Sequence, residues 1–170
     1  ISERVNQLRN WGIDFVHGDI LDKDLVNKIC GDADVVHHLA GITDVPRVKG
    51  ESNDTQDAKI KLVAEKGTQN ILDAINDNCK IVFPSTHVVY EGIEKIQKDI
   101  LEDEDTKPVL SYANSKATNE KQLKNSGKNF IILRLGSVYG YSTDTARIDI
   151  MPNLFSKIAS QNGTLKLFSG

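Results

Sequence analysis

Short apolar segments alternate with amphipathic segments of helical periodicity along the whole chain, and this alternation limits the folds open to it. The predicted strands are Ile13–His17, Ala33–Leu39, Lys80–Pro84 and Asn129–Leu135, with a further strand opening at Thr164–Phe168. The predicted helices are Ser2–Trp11, Lys23–Cys30, Thr55–Ile75, Val109–Lys124 and one that begins near Ile148. Apolar strands separated by helices are typical of parallel sheets with crossover helices on both faces. We therefore predict an α/β fold with a doubly wound parallel sheet and a ligand site at the carboxyl ends of its strands.

The apolar positions of two predicted helices indicate which faces pack inward. In the helix Lys23–Cys30 these positions are Leu25, Val26 and Ile29. In the long helix the residues predicted to face inward are Leu62, Val63, Gly67, Asn70 and Ile71. The segment Glu91–Pro108 is rich in charge and poor in core-forming residues, which predicts a surface loop.

Composition excludes several classes of protein. Hydrophobic residues make up 39% of the chain and charged residues 26%, as in ordinary globular domains rather than disordered or membrane proteins. The net charge is −3 and the basic residues are scattered, which argues against a nucleic-acid or membrane partner. Cys30 and Cys79 stand in no metal-binding spacing, so a reduced, cytoplasmic protein is the simplest interpretation.

Tyr112 and Lys116 are placed to share one face of a predicted helix, because residues four apart lie about one turn from each other. A free tyrosine, with a pKa of about 10, is too weakly ionised at neutral pH to act as a base. A neighbouring ammonium favours the phenolate and brings the pKa towards the working pH. By itself this pair is more typical of an exposed tyrosine and lysine on a solvated helix surface than of a catalytic site.

A second feature makes the catalytic interpretation stronger. The apolar strand that begins at Lys80 runs into hydroxyl residues, and Thr86 follows its carboxyl end. Ligands of parallel sheets bind at that end, so Thr86 is placed to hydrogen-bond a substrate oxygen. A strand end, a loop and then a helix with Tyr112 and Lys116 form a rarer combination than either half.

With these residues, the sequence resembles the extended short-chain dehydrogenase/reductase family, which includes nucleotide-sugar epimerases and dehydratases. Four further segments carry the resemblance, in the order that the family has them: Phe15–Ile20, Val35–Gly41, Gly67–Ala74 and Ile132–Gly140. The resemblance extends over essentially the whole chain and implies a Rossmann-like fold.

The resemblance also implies roles for individual residues. Thr86, Tyr112 and Lys116 would be the catalytic residues, with Tyr112 as the acid and base. The cofactor, NAD or NADP, would contact Tyr112 and Lys116 together with Asp19, Ile20, Leu39, Ala40 and Gly41. His87 and Ser137 are candidate substrate contacts, and no metal ligand is implied.

The chain departs from the family pattern in three places. It lacks the Gly-x-x-Gly-x-x-Gly turn that approaches the cofactor's pyrophosphate, so we interpret residues 1–170 as a partial dinucleotide-binding domain, incomplete at its N-terminus. Residues 141–170 would lead towards a separate substrate-binding domain. The sequence Leu135-Gly136-Ser137 replaces a common Pro-Gly-Asn, and His87-Val88 replaces the Asp-Glu of the dehydratases, which disfavours dehydration.

His37 and His38 are best explained as structural residues. His37 and His38 are adjacent in a predicted strand and therefore point to opposite faces, so they do not form a metal site together. A packed, hydrogen-bonded histidine is the simpler interpretation, and His17 is expected at the surface.

Three functions remain open from the sequence. The leading hypothesis is epimerisation of a nucleotide sugar through a 4-keto intermediate, with NAD as the cofactor. The first alternative is an NAD(P)H-dependent reductase of a keto-sugar or another carbonyl, and the second is a non-catalytic nucleotide-binding regulator. The resemblance further suggests a homodimer formed through the helices Thr55–Ile75 and Val109–Lys124.

Overall fold

The computed structural model describes residues 3–43, 54–140, 148 and 150–166, and its elements follow the predicted alternating order. The helices are α1 (Glu3–Asn10), α2 (Lys23–Cys30), α3 (Asp54–Ala74), α4 (Ser111–Asn125) and α5 (Met151–Ser160), with a 3-10 helix at His87–Tyr90. The strands are β1 (Val35–His37), β2 (Lys80–Thr86) and β3 (Asn129–Leu135). The chain divides into two compact units, residues 1–134 and 135–170.

The sheet has the strand order β1-β2-β3. β1 and β2 are parallel, with Val35 opposite Lys80 and His37 opposite Val82. The carboxyl ends of these two strands therefore lie at the same edge of the sheet. The long helix α3 connects them, as expected for a crossover between parallel strands.

The core of the first unit lies between the sheet and three helices. Its buried apolar side chains come from α2, α3, α4 and β2, and include Val26, Ile71, Leu72, Ile81, Phe83 and Leu123. Because all three helices contribute to one core, α2, α3 and α4 share one face of the sheet. Burial of each large side chain contributes about 1.5–3 kcal/mol to stability.

The prediction of a strand at Ile13–His17 is wrong. These residues have no regular secondary structure and pair with none of the three strands of the described sheet. A strand needs a hydrogen-bonded neighbour, and without one the apolar residues stay exposed, as the 56% exposure of Val16 shows. The segment is tied to α1 instead, since the Ile13 amide donates to the carbonyl of Leu8.

The other element boundaries differ by smaller amounts. β1 is shorter than the predicted Ala33–Leu39, because the Ala33 amide donates to the carbonyl of Cys30 in the turn after α2. β2 is longer than predicted and continues through Thr86. Residues 164–166 show no strand where one was predicted to open, and residues 167–168 lie outside the described residues.

Two residues predicted to face inward are exposed. Leu62 of α3 is 55% exposed, whereas Ile60, Gly67 and Ile71 are buried. At 100° per residue Leu62 lies on the side of the helix opposite Ile71, so the predicted apolar face was too wide. Ile29 of α2 is 50% exposed, although it lies only three residues after the buried Val26 and therefore on the same side of the helix.

The helices of the described residues are amphipathic or polar, or too short to cross a bilayer. None of the helices in that part of the chain combines the length and the apolar character needed to cross a bilayer.

Candidate active site

Lys116 connects α4 to the carboxyl-terminal half of β2. Its ammonium donates a hydrogen bond of 2.8 Å to the carbonyl of Pro84. The same nitrogen lies 4.5 Å from the ring centroid of Phe83 and 5.9 Å from that of Tyr112, distances at which a cation is attracted to an aromatic face. The helix and the strand end are therefore brought together as the sequence predicted, with the Lys116 charge beside the Tyr112 ring.

The environment of Lys116 alters its protonation. Burial lowers the pKa of the Lys116 ammonium, because the charged form loses contact with water. The Pro84 carbonyl and the two aromatic faces partly replace that water. The side chain of Tyr112 is partly exposed.

Thr86 occupies the last position of β2 and is buried. Its hydroxyl oxygen accepts a hydrogen bond of 3.3 Å from the amide of Val88 and so caps the 3-10 helix. The hydroxyl hydrogen is not used in that bond and can be donated to an oxygen of a ligand. α4 packs against both β2, which ends at Thr86, and the 3-10 helix that follows it.

His38 is buried between residues of α3 and β2. Its Nε2 is 2.8 Å from the hydroxyl of Thr68, and its ring centroid is 5.4 Å from that of Phe83. Burial, followed by repulsion from the Lys116 charge, lowers the pKa of His38 to about 4. His38 is therefore a neutral, packed histidine at pH 7. His37 is exposed, so the two rings point to opposite faces as predicted.

Metal coordination finds no support in the part of the chain that the structure describes. No group of three histidine, cysteine or acidic side chains there could hold a metal ion. Cys30 and Cys79 are both free thiols.

A buried ion pair between Glu120 and Arg134 supports the same strand end. Arg134 Nη2 lies 2.6 Å from Glu120 Oε2, and Arg134 Nε donates to both carboxylate oxygens. The hydroxyl of Ser85 donates to Glu120 at 2.5 Å, and Arg134 also hydrogen-bonds the Tyr90 hydroxyl. Burial acts to raise the pKa of Glu120, but these donors outweigh it and the pKa is lowered overall.

This network was not predicted from the sequence. Glu120 stands four residues after Lys116 and eight after Tyr112, so all three share one side of α4. A carboxylate at this spacing on an inward-facing helix side is a signal that a buried cation faces it.

The first two predicted cofactor contacts lie in the turn before α2. The carboxylate of Asp19 accepts a hydrogen bond of 2.9 Å from the amide of Leu21 and is exposed. The side-chain amide of Asn70 donates to the carbonyl of Ile20 at 2.9 Å. A Cβ on Gly67 would lie 2.9 Å from Ile20 Cγ2, so the turn approaches α3 as closely as a glycine permits. The turn is therefore fixed to α3.

The other predicted cofactor contacts follow β1. Leu39, Ala40 and Gly41 are exposed, at the edge of the sheet where β2 also ends. These three residues are therefore accessible from solvent, although the Leu39 amide itself donates to the carbonyl of His37.

The two candidate substrate residues are in different units. His87 begins the 3-10 helix directly after Thr86 and is exposed. Ser137 is exposed and belongs to the second unit, in which the Gly140 amide donates to the side chain of Asn153.

Comparison with known protein families decides the classification. The sequence model of the NAD dependent epimerase/dehydratase family matches residues 2–170. The chain belongs to this family. Its members are enzymes, and the site described above stands in the α/β arrangement that the family shares.

Individual members of the family show which chemistries the chain is similar to. CDP-paratose 2-epimerase from Salmonella typhi is 33% identical over 100 residues, which cover 55% of this chain and 28% of that enzyme. A probable low-salt glycan biosynthesis reductase, Agl14, from Haloferax volcanii is 28% identical over 155 residues, covering 89% of this chain and 49% of the reductase. Sequence similarity therefore extends to both an epimerase and a reductase.

A solved structure of another family member has a similar fold. A mutant of UDP-glucuronic acid 4-epimerase from Bacillus cereus, in complex with UDP-4-deoxy-4-fluoro-glucuronic acid and NAD, superposes with a TM-score of 0.74. It is 26% identical, and the match covers 97% of this chain and 51% of that enzyme. The chain thus spans about half or less of the length of these family members.

Proposed function

We propose that this protein epimerises a nucleotide sugar through a 4-keto intermediate, with NAD as its cofactor. The observation that carries the proposal is the Lys116 ammonium, which lies between the end of β2 and the Tyr112 ring. This arrangement supplies a tyrosine with a cation that favours its phenolate, beside a strand end that carries a hydroxyl donor. The similarity to epimerases of nucleotide sugars supports the substrate class.

The residues at the edge of the sheet fit a dinucleotide. Leu39, Ala40 and Gly41 are exposed at the edge of the sheet, where open α/β sheets bind ligands. We assign the adenosine end of NAD to Asp19 and Ile20, and the nicotinamide ribose to Tyr112 and Lys116. When bound there, NAD supplies an acceptor and donor of hydride at the reacting carbon.

In the proposed reaction the side chains of this chain move and hold protons. The Tyr112 phenolate removes the proton of the sugar hydroxyl as the carbon that bears this hydroxyl becomes a ketone carbon. The Tyr112 hydroxyl returns the proton when the alcohol re-forms. Lys116 stabilises the phenolate through its charge. Thr86 donates a hydrogen bond to the sugar oxygen and holds it within reach of Tyr112. His87 and Ser137 are proposed to contact the sugar.

A reductase is the second candidate. The specific observation in its favour is the similarity to the Haloferax volcanii reductase, which extends over 89% of this chain. The same residues would serve this reaction, with Tyr112 donating a proton to the oxygen of a keto group. The two reactions differ in cofactor use, because a reductase consumes NADH or NADPH and an epimerase regenerates its NAD in each turnover.

We also propose that the protein is a homodimer formed through α3 and α4. The two helices pack against each other, and their outer side keeps a groove of about 410 Å³ that Asp57 and Ser111 help to line. The exposed Leu62 on α3 supplies apolar surface for an interface. Light scattering on the full-length protein tests this proposal, and a monomeric mass would contradict it.

The free thiols agree with a reducing, cytoplasmic location, which we also propose.

A cofactor and substrate assay distinguishes the candidate functions. The full-length protein is denatured to release any bound nucleotide, and separate samples are incubated with a panel of nucleotide sugars. Retained NAD with interconversion of epimers supports the epimerase. Consumption of NADPH or NADH with a keto-sugar, and no interconversion, would replace it with the reductase. Nucleotide binding without any turnover would favour a regulator.

A further inference from the structure

Glu91 caps the N-terminus of the helix that carries Tyr112. α4 begins without a side-chain cap of its own, and its first turn holds no acidic residue. Glu91 Oε1 instead accepts hydrogen bonds from the amides of Val109 at 2.7 Å and Leu110 at 2.6 Å. Helix N-termini carry unpaired N–H groups and a partial positive charge, so a carboxylate is the natural partner. Here the carboxylate comes from a distant part of the chain, directly after the 3-10 helix.

The Glu91 cap connects the two halves of the proposed active site, which are the end of β2 with Thr86 and the start of α4 with Tyr112. Glu91 follows the 3-10 helix that Thr86 caps, and Leu110 stands two residues before Tyr112. Along the chain, the whole segment 92–108 separates these halves. Through the Glu91 carboxylate, the two halves are connected by the 3-10 helix and by one pair of hydrogen bonds to the amides of Val109 and Leu110.

Two further hydrogen bonds close the base of this segment. The Gly92 amide donates to the carbonyl of Lys107 at 2.8 Å, and the Lys107 amide donates to the carbonyl of Val89 at 2.7 Å. A Cβ on Gly92 would lie 2.5 Å from the Lys107 carbonyl oxygen, so a glycine is required for this approach. These main-chain hydrogen bonds hold the two ends of the segment together, and the Glu91 side chain extends this connection to the start of α4.

We propose that Glu91 is a positioning residue, which fixes the Tyr112 hydroxyl relative to Thr86. The inference rests on the proposed function, in which both side chains meet one sugar oxygen. Reacting groups must be held to within a fraction of an ångström, and a displacement of about 1 Å costs on the order of 10²-fold in rate. In the sequence this positioning residue is the glutamate between Tyr90 and Gly92.

Four variants of the full-length protein test the role of Glu91. In Glu91→Ala the acceptor is lost, and we expect kcat to fall roughly 10- to 100-fold while the substrate KM changes much less. Glu91→Gln retains an acceptor oxygen at the same reach and should recover most of that kcat. Glu91→Asp retains the charge but withdraws the oxygen by one methylene, so its kcat should fall. Glu94→Ala removes an exposed carboxylate of the same segment and should leave kcat unchanged.

Each variant is assayed beside Tyr112→Phe, at a temperature where circular dichroism shows it to be folded. Wild-type kcat in both Glu91→Ala and Glu91→Asp, with activity lost in Tyr112→Phe, would overturn the positioning role and leave the proposed function standing. Equal losses in Glu91→Gln and Glu91→Ala would also overturn it, because the acceptor oxygen would not be what matters. Unchanged activity in Tyr112→Phe would overturn the proposed function and this inference with it. If Glu91→Ala does not fold, the comparison of Glu91→Gln with Glu91→Asp decides.

Discussion

Removing the cation of the buried Glu120–Arg134 pair should destabilise the protein strongly. The side chains are 3% and 14% exposed, and three contacts between Arg134 nitrogens and Glu120 oxygens lie within 3.2 Å. In Arg134→Met the carboxylate keeps only the Ser85 hydroxyl among the donors described here. An uncompensated buried charge costs about 3–5 kcal/mol, so the free energy of unfolding should fall by that amount.

Urea unfolding of the full-length protein at pH 7 measures this loss. The double variant Glu120→Gln with Arg134→Met removes the stranded charge and should recover a substantial part of the stability. Lys61→Met is the matched control, because the Lys61–Glu65 pair spans 4.0 Å between side chains that are 70% and 40% exposed. Such a pair contributes about 0.5 kcal/mol. A loss of no more than about 1 kcal/mol in Arg134→Met, or no recovery in the double variant, would refute the reasoning.

The pH dependence of the same variants gives a second test. The pKa of Glu120 is lowered in the folded protein, so its contribution to stability is complete above the unfolded pKa and is lost as pH falls through the folded value. In Arg134→Met the stranded carboxylate should have a raised pKa, and protonation relieves the penalty. The stability difference between wild type and Arg134→Met should therefore shrink as pH falls from 7 towards 4. A constant difference would contradict the assignment.

Three further predictions concern single residues. His38 should titrate near pH 4 by NMR, and because this pKa lies below the unfolded value of about 6.5, its contribution to stability should be lost as pH falls from about 6.5 to 4. His38→Gln should flatten that part of the curve of unfolding free energy against pH. Gly67→Val should destabilise the protein by about 1–3 kcal/mol in urea unfolding, because its side chain would collide with Ile20. Lys116→Met should lower kcat/KM roughly 100-fold, whereas Lys121→Met, which changes an exposed lysine of the same helix, should have little effect.

The parts of the fold that depend on local periodicity were predictable from the sequence. The bounds of α2 and β3 are confirmed, and α3 and α4 differ from prediction by one or two residues. Their apolar patterns are strong because each element buries a face against its neighbours. Segment 13–17 has the composition of a strand and does not form one, since pairing depends on a neighbouring strand and not on composition.

The candidate site could be predicted only in part. The spacing of Tyr112 and Lys116 places them on one helix face whatever the rest of the fold does. Thr86 could be included because a parallel sheet brings strand ends to one edge. The bonds from Glu91 to the start of α4 join residues far apart in the chain, and they depend on the path of segment 92–108. The path of this segment cannot be predicted from the hydrophobic periodicity of the sequence.

The most direct test of the proposed function is the kcat/KM of Tyr112→Phe on the nucleotide sugar that the wild-type protein converts. The substitution removes the ionisable hydroxyl and keeps the ring beside Lys116, so binding and fold should be preserved. We predict that kcat/KM falls by roughly 10²–10⁴-fold, the range typical of general acid–base groups, with bound NAD retained. A Tyr112→Phe protein that interconverts the epimers at the wild-type rate would contradict the account.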